Sequence, residues 1–197
     1  TPGGAFGSCR YKLQDPSSNQ REYQRLLDVF VAHNIGYFFY NGGGDSQDTA
    51  NKIANFTKNM GFPVQCIGIP KTVDNDIPFT DNCPGFGSVA KYIAISTKEA
   101  GLDVASMAET STKVFILEVM GRHAGWIASA AGLAQEKEGD PPHLILFPEI
   151  AFNKKKMISK VRATVKKHGY CVLVVSEGVR NSKGKFLADA DTKDAFG

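Results

Sequence analysis

The stretch that decides the fold of this chain reads Gly68-Ile69-Pro70-Lys71-Thr72-Val73-Asp74-Asn75-Asp76-Ile77. A short apolar run with β propensity, residues 64–69, leads into it, so a lysine, a threonine and two carboxylates follow the end of a predicted strand. Open α/β sheets place their ligands at the carboxyl ends of strands, which makes this stretch a candidate binding site. An isolated D-x-D is also typical of a polar loop rich in helix-capping residues. The neighbouring motifs decide between the two interpretations.

Helical and strand patterns alternate on both sides of this stretch. The predicted helices cover 20–34, 50–60, 89–96, 124–135 and a basic segment from Asn153, and the predicted strands cover 37–40, 64–69, 114–119, 144–147 and 171–175. The apolar face of the first helix comprises Tyr23, Leu26, Leu27, Phe30 and Val31. This alternation predicts a doubly wound, Rossmann-like α/β fold with three αβα layers. A loop rich in proline and glycine, residues 78–87, divides it into two lobes, 1–85 and 86–197.

The composition places the chain among ordinary soluble globular proteins. Its 197 residues are 42% hydrophobic and 22% charged, and 23 basic against 20 acidic residues give a net charge of +3. A charge this balanced does not favour nucleic acid as a partner, and no apolar run reaches the roughly 20 residues that cross a membrane. The four cysteines are widely spaced without a C-x-x-C pair, which favours reduced thiols in a cytoplasmic protein over a zinc site or a disulfide framework.

Two glycine-rich turns are candidate phosphate-binding elements. The first, GGAFG at residues 3–7, precedes Arg10, whose forked guanidinium suits phosphate oxygens, although a glycine turn beside a surface arginine is common. The second lies between a strand and a helix and reads Asn41-Gly42-Gly43-Gly44-Asp45-Ser46-Gln47-Asp48-Thr49. Helix N-terminal amides bind phosphate in this arrangement, with Ser46 as the predicted N-cap. The carboxylate of Asp45 would repel a phosphate unless a metal ion or a lysine lies between them.

Taken in order, GGAFGSCR, GGGDS, GIPKTVDNDI and EVMGRHAGW resemble the phosphofructokinase family over nearly the whole chain. The resemblance implies the family's fold and transfer of a phosphoryl group to the 1-hydroxyl of fructose 6-phosphate. This glycolytic step gives fructose 1,6-bisphosphate and uses Mg²⁺. Members form homo-oligomers, dimers or tetramers, and are considerably longer than this chain, which also lacks an initial strand and a closing element. We therefore expect a fragment that is inactive, or nearly so, by itself.

The resemblance also assigns roles to single residues. Asp74 matches the catalytic base, and Thr72 and Asp76 match neighbours that position substrate or metal. On the sugar phosphate side the matching residues are Met120, Gly121 and Arg122 after the strand 114–119, Glu177 as a ligand of a sugar hydroxyl, and Lys113 in place of an arginine that reaches a neighbouring subunit's site. The catalytic set is Asp74, Thr72 and Arg122. From the residues alone, an arginine at a strand's end is also typical of a solvated surface side chain.

Two departures from ATP-using members indicate pyrophosphate as the phosphoryl donor. Those members carry GGDGS, whereas this chain has Gly44 at the aspartate position and Asp45 at the following glycine. They also have glycine where this chain has Lys71, whose compact ammonium suits a small, highly charged donor. The predicted donor-binding residues are Arg10, Gly43, Gly44, Asp45, Ser46 and Lys71, and the candidate metal ligands are Asp45 and Asp76.

The sequence leaves three other interpretations open. These are an ATP-dependent phosphofructokinase, a non-catalytic regulatory subunit that keeps the fold and binds sugar phosphate, and a generic nucleotide-binding module. The last explains the glycines but not TVDND, and a non-catalytic subunit would have little reason to keep Asp74 together with Arg122. We interpret His143, beside the strand 144–147, as structural, and the lysines of the basic helix as a solvated surface.

Overall fold

A computed structural model of the chain describes residues 4–5, 7–9 and 11–188. The described residues form five strands, five α-helices and one short 3-10 helix. In chain order they are α1 (Gln20–Ala32), β1 (Tyr37–Gly42), α2 (Gly44–Asn59), β2 (Gln65–Pro70), α3 (Phe86–Met107), β3 (Val114–Val119), α4 (Trp126–Ala130), the 3-10 helix (Ala131–Ala134), β4 (Leu144–Leu146), α5 (Lys154–His168) and β5 (Cys171–Ser176). Parallel strands alternating with helices confirm the predicted α/β class.

The chain divides into two compact units, Thr1–Lys71 and Thr72–Gly197. Residues 72–85, which we assigned from the sequence to the first lobe, pack with the second unit. The division falls inside the stretch that decides the fold, between Lys71 and Thr72. From the family resemblance we also predict that lobe 1–85 binds the phosphoryl donor and lobe 86–197 binds fructose 6-phosphate, and this assignment stays a prediction.

The first unit is built on a two-stranded parallel sheet, β1 beside β2. Apolar side chains from α1, α2 and the approach to β2 form one core, comprising Tyr23, Phe30, Ile53 and Val64. The rings of Tyr23 and Phe56 lie 5.2 Å apart, which brings the two helices together. The predicted core face of α1 is confirmed at Tyr23, Leu27 and Phe30 but is wrong at Val31, whose side chain is 52% exposed.

The second unit is built on a three-stranded parallel sheet in the order β3-β5-β4. Central strand β5 is buried on both faces from Cys171 to Val174, as expected for a continuous apolar run between two neighbours. Helices α3 and α4 cover the sheet through one cluster, comprising Ile93, Val119, Ile127, Ala128, Ala131 and Val174. Ala128 and Ala131 are fully buried, so these small residues allow close packing against the sheet.

Within the part of the chain that the structure describes, no helix has the length and apolar character that crossing a membrane requires.

Candidate active site

The glycine turn, residues 42–46, connects β1 to α2 in the first unit. Helix α2 begins at Gly44, with Gly43 in extended conformation as its N-cap, so the prediction of Ser46 as N-cap is wrong. Ser46 lies in the first helical turn, and a Cβ on Gly42 would be 2.0 Å from its Oγ. Glycine at 42 is therefore what lets the first turn of α2 approach the end of β1. The result is a helix N-terminus at the carboxyl end of a parallel strand, where anions bind.

Lys71 lies beside this turn because β1 and β2 are parallel and end together, with Gly42 paired to Pro70. The Lys71 backbone N–H donates a hydrogen bond to the Gly42 carbonyl at 2.9 Å. Asp45 and Lys71 are both exposed, and among the described residues neither belongs to an ion pair. One carboxylate and one ammonium are thus fixed by backbone to the same sheet edge, with their side chains accessible to a ligand.

The TVDND loop, residues 72–76, opens the second unit. Asn75 is its one buried residue, with 7% of its surface exposed, and the half-buried Val73 packs against the core cluster. Thr72, Asp74 and Asp76 are half-buried as well. The Asp74 backbone N–H donates to Thr72 Oγ1 at 3.2 Å, which ties the threonine to the candidate base. Val73 and Asn75 thus attach the loop to the second unit, and Thr72, Asp74 and Asp76 alternate with them along the chain.

The MGR turn, residues 120–122, and the SEG turn, residues 176–178, meet at the carboxyl ends of neighbouring strands. Val119 of β3 is paired with Ser176 of β5, so both chains leave the sheet at the same level. The Gly121 N–H donates to Glu177 Oε1 at 3.1 Å, and the buried Ser176 hydroxyl donates to the Gly121 carbonyl. Both polar groups of Gly121 are therefore held by the SEG turn.

Two glycines make this close approach possible. Gly121 has a φ of +122°, a conformation that side chains rarely adopt, and a Cβ there would lie 2.5 Å from the Ala124 carbonyl oxygen. A Cβ on Gly178 would lie 2.1 Å from the carbonyl oxygen of Arg122. The Arg122 side chain itself is exposed, as a phosphate-binding guanidinium needs to be.

A further carboxylate fixes the far end of the segment that carries Arg122. Glu149 Oε1 accepts a hydrogen bond of 2.8 Å from the backbone N–H of Gly125, immediately before α4. Sequence reasoning missed Glu149, Ser176 and Gly178, because each acts on a backbone group that is distant along the chain. The one signal for Gly178 in the sequence was its residue type, since a glycine often marks a close approach of two backbone segments.

Arg10 and Lys113 are the remaining predicted site residues. Arg10 lies outside the described residues. Lys113 precedes β3, so the full length of the strand, roughly 20 Å for six residues, separates it from the MGR turn. Its ammonium donates to the Ala108 carbonyl at the end of α3. Lys113 therefore does not join the site formed by its own strand's carboxyl end.

The two structural predictions outside the site agree with the contacts. His143 Nδ1 accepts a hydrogen bond from the Val172 N–H at 3.0 Å, joining β4 to β5. Burial, and then the neighbouring His168, lower the pKa of His143, so the neutral ring is favoured. The lysines of α5 are exposed, as expected for a solvated surface.

Comparison with known proteins gives one consistent result. The sequence matches the family described as Phosphofructokinase over residues 1–195. It is 64% identical, over its whole length, to a protein of Halomonas elongata named pyrophosphate–fructose 6-phosphate 1-phosphotransferase, and it covers 47% of that relative. The chain thus spans about half the length of this relative.

Two solved structures agree with the sequence match. A structure described as a pyrophosphate-dependent phosphofructokinase from Nitrosospira multiformis is 64% identical with a TM-score of 0.81, over 94% of this chain and 45% of that one. Another with the same description, from Marinobacter aquaeolei, is 68% identical with a TM-score of 0.77, over 92% of this chain and 44% of that one. By sequence and fold, the chain belongs to the phosphofructokinase family.

Proposed function

We propose that the protein carrying this chain transfers a phosphoryl group from pyrophosphate to the 1-hydroxyl of fructose 6-phosphate. The observation that carries the proposal is the fixation of Gly121 by Ser176 and Glu177, which presents Arg122 at the sheet edge of the unit that also contains the TVDND loop. The name of the Halomonas elongata relative supports the same substrates.

On the acceptor side, the TVDND loop supplies the proton acceptor. Asp74 takes the proton of the 1-hydroxyl as that oxygen attacks phosphorus, the bridging P–O bond of pyrophosphate breaks and inorganic phosphate leaves. Thr72 holds the backbone of Asp74 in place. Arg122 binds the 6-phosphate through its forked guanidinium, and Met120 and Gly121, the other residues of the turn, contact the same sugar phosphate. Glu177 is fixed by the hydrogen bond from Gly121 to its Oε1, and its carboxylate accepts a hydrogen bond from a sugar hydroxyl. Phosphoryl transfer needs little beyond such positioning and charge neutralisation.

On the donor side, the glycine turn binds pyrophosphate through the N-terminal amides of α2, with Gly43 and Gly44 giving the close backbone approach. Asp45 is exposed in the first turn of that helix, where its carboxylate repels the additional phosphate of a nucleotide. Lys71, held beside Gly42, supplies a positive charge to the phosphoryl group in the transition state of the transfer. Arg10 is a further donor-binding residue in this proposal.

Magnesium is the cofactor in this proposal, with Asp45 and Asp76 as the candidate carboxylate ligands. Mg²⁺ usually binds one or two carboxylates together with substrate phosphates, and Asp45 and Asp76 are carboxylates on the donor and acceptor elements. Among the described residues, no group of three or more His, Cys, Asp and Glu side chains is arranged to hold a metal by itself. When bound with pyrophosphate, Mg²⁺ would neutralise charge on the phosphate oxygens.

Three further properties belong to the proposal. We expect a homo-oligomer, because Lys113 matches, through the family resemblance, an arginine that reaches a neighbouring subunit's site. We expect a cytoplasmic protein, since all four cysteines are free thiols. We expect neither nucleic acid nor membrane as a partner, given the balanced charge.

The proposal is tested by measuring kcat/KM for pyrophosphate and for ATP in the full-length protein that carries this sequence. The wild type should prefer pyrophosphate. Asp45→Gly should raise the relative use of ATP by about 10-fold or more, because bulk and like charge are removed from the turn. Lys71→Gly should mainly weaken the use of pyrophosphate, because a cation is removed from the transition state.

The control is Asp48→Ala, which removes a carboxylate from the same helix beyond the glycine turn, where it pairs with Lys52. Its donor ratio should equal that of the wild type. A wild type that prefers ATP would favour the ATP-dependent alternative, and one that binds fructose 6-phosphate without turnover would favour the regulatory subunit. An unchanged donor ratio in Asp45→Gly, Lys71→Gly and the double variant would show that these residues do not select the donor.

A further inference from the structure

Asn75 occupies an unusual backbone conformation at the centre of the TVDND loop. Its φ is +54°, in the left-handed region that asparagine tolerates better than other residues with a side chain. It is also buried, with 7% of its surface exposed. Buried asparagines need partners for both ends of the amide, and left-handed residues that are not glycine concentrate at functional sites. Both features fall between the two carboxylates of the motif.

The Asn75 side chain uses both ends of its amide to hold the following loop. Nδ2 donates to the Asp81 carbonyl at 3.2 Å, and Oδ1 accepts from the Cys83 N–H at 2.8 Å. Cys83 is fully buried, and its carbonyl in turn accepts from the N–H of Phe86, the first residue of α3. The amide of Asn75 thus connects the TVDND loop to the start of the longest helix of the unit.

A second anchor lies on the other side of Asp74. Val73 packs against the core cluster of the second unit, and a Cβ on Gly85, the N-cap of α3, would lie 3.0 Å from its Cγ1. The backbone of Asp74 is therefore fixed between an apolar anchor at 73 and a hydrogen-bonded anchor at 75. The backbone of Asp76 is fixed by Asn75, which directly precedes it.

We propose that Asn75 is a positioning residue for phosphoryl transfer: its left-handed turn and its two hydrogen bonds set the separation and direction of the Asp74 and Asp76 carboxylates. This proposal rests on the proposed function. Asn75 is buried and its amide is bonded to Asp81 and Cys83, so it acts through the backbone it shares with both carboxylates. A displacement of about 1 Å at a proton acceptor costs on the order of 10²-fold in rate, so loosening this turn should reduce kcat.

Three variants separate the backbone from the hydrogen bonds. Asn75→Gly keeps access to positive φ but removes both bonds, and Asn75→Ala removes both bonds and also disfavours the conformation. Asn75→Asp keeps the acceptor for Cys83 and replaces the donor to Asp81 with an oxygen. The matched control is Asn34→Gly, since Asn34 also has positive φ, +52°, but is exposed after α1.

The measurements are kcat, KM for fructose 6-phosphate, the pH dependence of kcat and the melting temperature of the full-length protein. We expect Asn75→Gly and Asn75→Asp to lower kcat about 10- to 100-fold, with KM changed by less than about 3-fold. The acid limb of the kcat profile should shift, because the environment of the base changes. Asn34→Gly should leave all the kinetic values unchanged.

Each outcome decides the proposal. A lowered melting temperature with unchanged kcat and pH profile in folded Asn75→Asp and Asn75→Gly would mean a purely structural role and overturn it. A change in Asn34→Gly as large as in Asn75→Gly would also overturn it. A wild type without pyrophosphate or ATP turnover would overturn the proposed function and this proposal together, whereas an active wild type with unaffected Asn75 variants overturns this proposal alone.

Discussion

Replacing Gly178 with alanine adds one methyl group at the contact between the MGR and SEG turns. That methyl would lie 2.1 Å from the Arg122 carbonyl oxygen and 2.7 Å from the Gly121 carbonyl oxygen. Both neighbours are backbone atoms, so no side chain can rotate away. Gly121 is also held by Ser176 and Glu177, which belong to the same turn as the new methyl. The clash therefore has to be relieved by moving the MGR turn as a whole.

The size of the effect follows from that displacement. Non-bonded carbon and oxygen atoms keep a separation of about 3 Å, so the Arg122 carbonyl has to move by about 1 Å. A misplacement of about 1 Å in a positioned group costs on the order of 10²-fold, which is about 3 kcal/mol. Arg122 is proposed to bind the 6-phosphate and not the reacting hydroxyl. Most of the loss should thus appear as a higher KM for fructose 6-phosphate, with a smaller fall in kcat.

The assay is steady-state kinetics of the full-length protein with varied fructose 6-phosphate, together with its melting temperature. The matched control is Gly87→Ala in α3 of the same unit, where a Cβ meets nothing within 4 Å. This control should keep its KM and gain a few tenths of a kcal/mol in stability, because alanine favours a helix. If Gly178→Ala folds and keeps the wild-type KM, the interlocked turns do not form the sugar phosphate site, and our reasoning fails.

Two further predictions concern single residues of the second unit. Asp74→Ala should lower kcat by about 10²-fold or more while fructose 6-phosphate still binds, which titration calorimetry can check; loss of binding with little loss of kcat would give Asp74 another role. The lowered pKa of His143 means that its neutral form is favoured in the folded state, so its contribution to stability is present above pH 6.5 and is lost as the pH falls through the folded pKa. His143→Gln should reduce the loss of melting temperature between pH 7 and about pH 5, and an unchanged pH dependence would contradict this.

The fold was predictable from the sequence wherever burial alone determines structure. The strand Val114–Val119 has the predicted bounds, and β5 extends one residue beyond its predicted apolar run because Ser176 still pairs with Val119. The predicted face of α1 is too wide at Val31, since the helix packs through the narrower stripe of Tyr23, Leu27 and Phe30. Periodicity identifies which side of a helix faces the core, but the width of that contact depends on the neighbouring elements.

The contacts that hold the candidate site residues were not predictable from the sequence. Ser46 suits an N-cap by type, yet α2 begins two residues earlier because Gly42 leaves room for the serine inside the first turn. Ser176 and Gly121 are 55 residues apart in the chain, and local patterns carry no information about a hydrogen bond over that separation. Asn75 was part of a recognised motif, but its left-handed conformation depends on Asp81 and Cys83, which supply its partners.

The proposed donor and acceptor residues are supported by different structural elements. The glycine turn and Lys71 depend on β1, β2 and α2 in the first unit. In the second unit, Val73 of the TVDND loop packs against the apolar cluster that contains Val119, the residue before the MGR turn, so Asp74 and Arg122 share a common support. A substitution at Asp45 therefore alters an exposed side chain on a helix that takes no part in this cluster. Under the proposed function, donor choice can vary through exposed side chains of the first unit, whereas the proposed acceptor residues are constrained by packing, buried hydrogen bonds and glycines that tolerate no Cβ.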